Sequence, residues 1–312
     1  MLEKGWGLMF HYLDADSPAD SKEHSRTTAE EWNARVDGFD TGLLRGQLRQ
    51  LQPGWVIWTV GQNSGHYCAP NEAYDAIVGH HPSKCARRDL VADIGRMLRE
   101  QGIRLIVYVP SGAPEADPQA RERLQWAPAH PTPGVTVERQ AEFQRMWERI
   151  LREWSLRWGD MVSGWWIDGC YAPDAMYRHA DAPNFSSLAG ALRAGNPHAA
   201  VAFNGGVKTP IQRLDEVEDY TAGECDIGLP IFRDHVPWGH ERTAAQFHAL
   251  SFLGAGWGVG SPRLPAALVK AYTQYLQSQQ GGITWDIPLV DDRLPEEYVL
   301  LLQGLTPNTH TR

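Results

Sequence analysis

The stretch Val162-Ser163-Gly164-Trp165-Trp166-Ile167-Asp168-Gly169 decides the fold. An almost unbroken apolar run ends abruptly in a carboxylate and a glycine. Such a run suits a strand covered on both faces, as in a parallel sheet flanked by helices. Seven further runs read the same way, at 6–10, 55–60, 103–109, 199–203, 217–221, 252–259 and 283–287. Between them, apolar residues recur at helical spacing in 40–51, 89–101, 137–158, 184–194, 242–253, 264–279 and 295–302. In the first of these Leu44, Leu48 and Leu51 share a face, and in the third Phe143, Ile150 and Trp154 recur every turn or two. The link at 208–214 leaves room for only a short helix. Eight strands alternating with helices in 312 residues predict an α/β fold, a (β/α)8 TIM-like barrel forming one domain over 1–312. A doubly wound sheet is the rival, but no GxGxxG or GxxxxGK[ST] follows any of the runs.

Charge narrows the partners. Thirty-eight acidic residues against 29 Lys and Arg give a net charge of −9, which repels phosphate backbones and anionic lipid. No nucleic acid and no membrane is therefore expected. Mean hydropathy is −0.42 and no apolar run approaches a membrane span. The start, Met1-Leu2-Glu3-Lys4-Gly5-Trp6, runs directly into a strand without a signal-like segment, so a cytoplasmic location is expected. Cys68, Cys85, Cys170 and Cys225 form no CxxC pair and read as reduced, packed thiols. His11, His66, His80, His81 and His235 show no HxH or HExxH spacing, so no metal and no cofactor is expected. Thirteen tryptophans and ten tyrosines are enough to build a core and still leave flat walls for stacking on sugars.

In a barrel, reactive groups project from the C-terminal ends of the strands. Those ends carry His11, then Gln62, Asn63 and His66, then Tyr108, then Asp168, Asn204, Glu224 and the pair Trp285-Asp286. A polar residue directly after an apolar run is costly in a core and useful in a pocket. Asp168 before Gly169 also fits an Asx turn. The tryptophan pair ahead of it, Trp166 included, and its place at the fourth strand weigh toward a reactive carboxylate. Two carboxylates at one barrel mouth can divide labour, one attacking as an anion and one kept protonated. Glu224 is the second acid, and spacing does not separate it from Glu216, Glu218, Asp219 or Asp226. No GxSxG supports a serine nucleophile.

An ordered set of motifs resembles family 29 glycoside hydrolases, the retaining α-L-fucosidases. Gly7-Leu8-Met9-Phe10-His11-Tyr12 resembles that family's GLFIHWG. Phe39-Asp40 followed by Gly54-Trp55-Val56-Ile57-Trp58-Thr59 resembles FDA…W…AKYVVLT. Arg88-Asp89-Leu90-Val91 and the stretch 102–108 resemble RDIV…AGLKFGFYYS. Trp165-Trp166-Ile167-Asp168-Gly169 resembles LWFDG, and Asp219-Tyr220-Thr221-Ala222-Gly223-Glu224 resembles DFKTAE. Gly281-Gly282-Ile283-Thr284-Trp285-Asp286-Ile287-Pro288 stands where that family has GGNLLLNIGP.

The resemblance implies an exo-acting retaining glycosidase that takes an oligosaccharide or glycoside substrate. Asp168 would be the nucleophile and Glu224 the general acid/base. His11, Glu31, Trp32 and Asn204 would line the sugar pocket, with Gln62, Asn63, His66, Tyr108, Trp166 and Trp285 around them. Two departures stand out. The family's second strand ends in KHHDG, whereas Gly61-Gln62-Asn63-Ser64-Gly65 stands here, so a different sugar is an open alternative. The sequence also shows no β-sandwich after the barrel. A carbohydrate-binding barrel without hydrolysis is the alternative of another class.

Overall fold

A computed structural model describes residues 5–14, 25–127, 138–208, 210–231 and 245–305. In chain order its elements are β1 (Trp6–Phe10), α1 (Ala29–Gly38), α2 (Thr41–Leu51), β2 (Trp55–Thr59), α3 (Glu72–Val78), α4 (Leu90–Arg99) and β3 (Arg104–Pro110). They continue with α5 (Pro118–Arg123), α6 (Ala141–Trp158), β4 (Val162–Asp168), α7 (Pro173–Met176), α8 (Phe185–Leu192) and β5 (Ala200–Phe203). The last are β6 (His248–Phe252), α9 (Ala266–Ser278), β7 (Gly282–Asp286) and α10 (Glu296–Leu302). The described strands form one parallel sheet in the order β5-β4-β3-β2-β1-β7-β6, curled in the manner of a TIM-like α/β fold.

Helix boundaries follow capping chemistry. Asp40 accepts the Gly42 N–H ahead of α2, Asp89 accepts the Ala92 N–H ahead of α4, and Asp117 accepts the Ala120 N–H ahead of α5. Along each strand, side chains alternate between the two faces of the sheet. Trp6, Leu8, Trp58, Val107, Trp165, Val201 and Trp285 pack in the core beneath the helices. Met9, Trp55, Ile57, Ile106, Tyr108, Trp166, Ala202 and Leu250 meet on the concave face. Gly7 belongs to that face, and a Cβ there would lie 2.2 Å from the Trp55 indole, so the tryptophan fills the floor only because residue 7 has no side chain.

Two expectations are corrected. The strand expected at 252–259 begins earlier, as β6, and displaces the helix expected over 242–253, of which 242–244 lie outside the described residues. All five residues of β6 are buried, as two covered faces demand, whereas a surface helix keeps a polar side. The glycine-rich Gly254-Ala255-Gly256-Trp257-Gly258 then forms a turn, closed by the Ala255 N–H to the Val259 carbonyl at 2.9 Å.

The strand expected at 217–221 is not a regular strand. Its segment lies between β5 and β6 with isolated bridges Tyr220–Gln246 and Glu224–Leu250. Toward β5, carboxylates take the acceptor places of a ladder: Asp219 Oδ2 receives the Val201 N–H at 2.8 Å and Glu218 Oε1 receives that of Phe203 at 2.7 Å. Asp219 N returns one bond to the Val201 carbonyl, at 3.0 Å. Toward β6, Leu250 N donates to Gly223 O and Cys225 N to Leu250 O. The segment therefore spans the gap in the sheet partly through side chains. No helix forms at 208–214 among its described residues.

Candidate active site

The alternation that sorts the core also builds the site. Two residues beyond concave-face Met9 comes His11; beyond Trp166, Asp168; beyond Ala202, Asn204; beyond Ala222, Glu224. Each polar side chain continues the inward-facing set just where the strand ends. The result is a cavity of about 200 Å³ lined by His11, Gln62, Asn63, Tyr108, Trp166, Asp168 and Glu224.

Asn204 holds the centre. Its Nδ2 donates to Asp168 Oδ1 at 2.8 Å and to Glu224 Oε2 at 2.6 Å, while its Oδ1 accepts the Gly206 N–H at 3.0 Å. The backbone donor fixes which end of the amide faces the acids. One nitrogen bonded to both oxygens keeps them no more than 5.4 Å apart. Asp168 collects three more donors: Gly169 N at 2.8 Å, Tyr108 OH at 2.6 Å and Tyr171 OH at 3.3 Å. Gln62 Nε2 donates in turn to Tyr108 OH at 2.8 Å, and Trp166 stacks on the Tyr108 ring at 5.3 Å. Burial, reinforced by Asp168, pushes the Tyr108 phenol well above its ordinary range. The Asp168 charge, reinforced by burial, does the same to Tyr171. Both phenols stay protonated and act as donors.

Glu224 has a different environment. Burial first, then the negative charge of Asp168, push its carboxyl up to about 7; the Asn204 hydrogen bond and His11 pull the other way. One carboxyl gripped by four donors beside one biased to keep its proton is the division of labour that acid–base chemistry uses. Of its rivals, Glu216 is exposed, Glu218 and Asp219 are occupied by backbone N–H groups, and none of these nor Asp226 lines the cavity. His11 Nδ1 donates to the fully buried Asp286 at 2.6 Å, and Asp286 Oδ2 accepts the Gly258 N–H at 2.5 Å.

Four expected pocket residues lie elsewhere. Glu31 is exposed and closes a capping box with Thr28 at the start of α1, a role its helical position favours. Trp32, one residue further along α1, is fully buried, its indole N–H on the Tyr67 carbonyl at 2.9 Å. His66 is buried against Trp32 with Nε2 on the Thr27 carbonyl at 3.0 Å, and burial lowers its pKa. Trp285 has the wrong parity: it points to the helices and donates to Thr273 at 3.1 Å, so Asp286 rather than Trp285 serves the site. His235 lies outside the described residues. Glu115, Trp126, Tyr171 and Trp257 line the cavity and were not foreseen, because all four sit on loops beyond the strand ends. Among the described residues no three His, Cys, Asp or Glu side chains gather as a metal site. No described helix is long and apolar enough to cross a membrane.

The sequence matches no protein-family model and no curated protein. Solved structures are similar in fold. An endo-fucoidan hydrolase of glycoside hydrolase family 107 aligns with a TM-score of 0.71 at 19% identity, over 98% of this chain and 52% of that one. A second of that family gives 0.63 at 12% identity, over 99% and 92%. A family 29 α-L-fucosidase from Bacteroides thetaiotaomicron gives 0.61 at 15% identity, over 97% and 71%. The chain spans about half the length of the first of these.

Proposed function

We propose that this chain is a retaining glycoside hydrolase acting on α-L-fucosyl linkages, exo-acting, with Asp168 as nucleophile and Glu224 as general acid/base. The fold would be an eight-stranded barrel in which the 219–225 segment takes the place of the sixth strand. The observation that carries the reading is the single Asn204 amide bonded to both acids. Its limit of 5.4 Å between the bonded oxygens agrees with the carboxyl spacing of about 5–5.5 Å for retention, against about 6.5–9.5 Å for inversion. Asp168 attacks the anomeric carbon as Glu224 gives its proton to the leaving oxygen. Glu224, now a carboxylate, then takes a proton from the water that hydrolyses the glycosyl-enzyme. The similar solved structures, named for fucoidan and fucoside hydrolysis, support the choice of sugar.

A second reading, cleavage within a fucose-containing chain, is favoured by one observation. A further cavity of about 530 Å³ is lined by Glu224, Asn204 and Tyr171, so open space adjoins the proton donor outside the first cavity. An aryl α-L-fucoside and a fucose polymer offered side by side separate the two. The mechanism itself is tested with 2-fluoro-fucosyl fluoride and peptide mass mapping. A covalent adduct on the peptide bearing Asp168, absent in Asp168→Asn, is expected. Fucoside turnover that survives Asp168→Asn overturns the assignment, and fucose binding without any turnover returns the chain to the sugar-binding class.

A further inference from the structure

The two oxygens of Asp168 are held unequally. Oδ1 receives Asn204, Gly169 and Tyr171, whereas Oδ2 receives, among the described residues, only the Tyr108 hydroxyl at 2.6 Å. The direction of that hydroxyl therefore sets whether Oδ2 meets a proton or the lone pair of a second oxygen. The phenol oxygen has one other partner among the described residues, Gln62 Nε2 at 2.8 Å. An amide nitrogen donates and does not accept, so it leaves the hydroxyl no acceptor but Asp168. Turned over, the same amide would offer its oxygen as a rival. Gln62 Oε1 is shielded from solvent and has no hydrogen-bond partner among the described residues. A buried acceptor without a partner is costly, and the side chain carries that cost while its donor serves Tyr108. The turn bearing Gln62 is pinned: Gly65 N–H donates to Gln62 O at 3.2 Å, Ala116 N–H to Asn63 O at 3.0 Å and Lys84 Nζ to Ser64 O at 3.0 Å. Asp117 holds the same lysine at 2.7 Å.

We infer that Gln62 is a positioning residue for Asp168: its amide N–H sets the Tyr108 hydroxyl as a donor and through it keeps Oδ2 hydrogen-bonded. Linked hydrogen bonds polarise one another, so the amide also strengthens the bond it orients. The role of Asp168 as nucleophile rests on the proposed glycosidase reading, whereas the relay from Gln62 through Tyr108 to Asp168 does not.

Two variants separate this role from that of a pocket wall. Gln62→Glu keeps the shape but puts an acceptor where the donor was, leaving one phenol proton between two carboxylates. Gln62→Met removes the donor, adds no acceptor and takes away the unpartnered oxygen, so its melting temperature should not fall. With an aryl α-L-fucoside at about pH 8, kcat relative to wild type should drop about 100-fold in Gln62→Glu and about 3- to 10-fold in Gln62→Met, with KM little changed. As pH is lowered the Gln62→Glu ratio should recover, because the introduced carboxyl then carries a proton it can donate, while the Gln62→Met ratio stays flat. Equal losses in the two variants at every pH, no loss, or a loss confined to KM overturns the inference. A second measurement needs no turnover: the Tyr108 13Cζ resonance of tyrosine-labelled protein, assigned with Tyr108→Phe, should shift in both variants. That shift without any fucoside cleavage supports the relay and counts against the glycosidase reading alone. An unmoved resonance overturns the relay whether or not fucosides are hydrolysed.

Discussion

At the scale of single residues, the contrast between Asp168 and Glu224 comes from their partners. Asp168 receives four donors, whereas Glu224 receives the one Asn204 bond and otherwise sits in buried surroundings facing a negative charge. Asp168→Asn removes that charge but leaves the burial, which is the larger cause. The Glu224 carboxyl should therefore titrate below its present value of about 7, yet remain above an ordinary glutamate. Side-chain 13C NMR of labelled glutamate reads this directly. An unmoved titration would mean that the two acids do not sense each other and would weaken their pairing as nucleophile and proton donor. In the wild type, the same value predicts that hydrolysis declines as pH rises through about 7, because Glu224 then loses the proton it must give.

At the scale of elements, the 219–225 segment is the piece on which the site depends. It delivers Glu224 through Gly223, whose φ is +69° and whose absent Cβ would lie 1.9 Å from the His248 carbonyl. Gly102 has a similar φ of +66° at the end of α4, with nothing within 4 Å of a Cβ. Gly102→Ala should cost only the left-handed strain, about 1–2 kcal/mol. Gly223→Ala adds a backbone collision, so it should cost more and displace Glu224, with activity lost beyond what the melting temperature explains. Comparable melting points and activities for the two variants would show that the segment yields freely. This segment also marks where the sequence stopped being legible. Apolar runs located β1 to β5 and β7 within a residue or two, because strands covered on both faces carry few polar residues. At 217–221 the acids Glu218 and Asp219 do the work of backbone acceptors, which no hydropathy pattern reveals. Asp286 rather than Trp285 faces the site because β7 pairs with β1 in the register Met9–Asp286, which the apolar run at 283–287 does not encode. Glu115, Trp126 and Trp257 arrive on loops, whose paths depend on tertiary contacts rather than on local pattern.

At the scale of the whole molecule, buried titrating groups pull stability in opposite directions. His248 is fully buried between the 219–225 segment and β7, and burial lowers its pKa to about 4. Its Nδ1–H serves the Thr221 and Ala222 carbonyls at 3.0 and 3.1 Å, and its Nε2 accepts from Thr284 at 2.7 Å. The unfolded chain takes up this proton near pH 6.5 and the folded one does not, so His248 stabilises fully above 6.5 and progressively less as pH falls to about 4. Glu218 and Glu224 act the other way. Burial raises both to about 7, so the folded chain keeps protons that the unfolded one releases near 4.5. Their contribution is complete below 4.5 and is lost as pH rises through about 7. Above about pH 6.5 the imidazole is largely neutral in the unfolded chain as well, so there the two carboxyls predict a falling limb in melting temperature from about pH 6.5 to 7.5. In Glu218→Gln the non-titrating amide removes one of the two carboxyls, so that limb should flatten by about half, while the protein as a whole loses stability. That loss follows because Glu218 accepts backbone N–H groups from Phe203, Leu214 and Asp215, and an amide has one oxygen where the carboxyl has two. Thermal melts of both proteins across pH 4.5–8 decide it: a wild-type melting point that climbs through pH 7, or an unaltered limb in the variant, would remove Glu218 from the pH response.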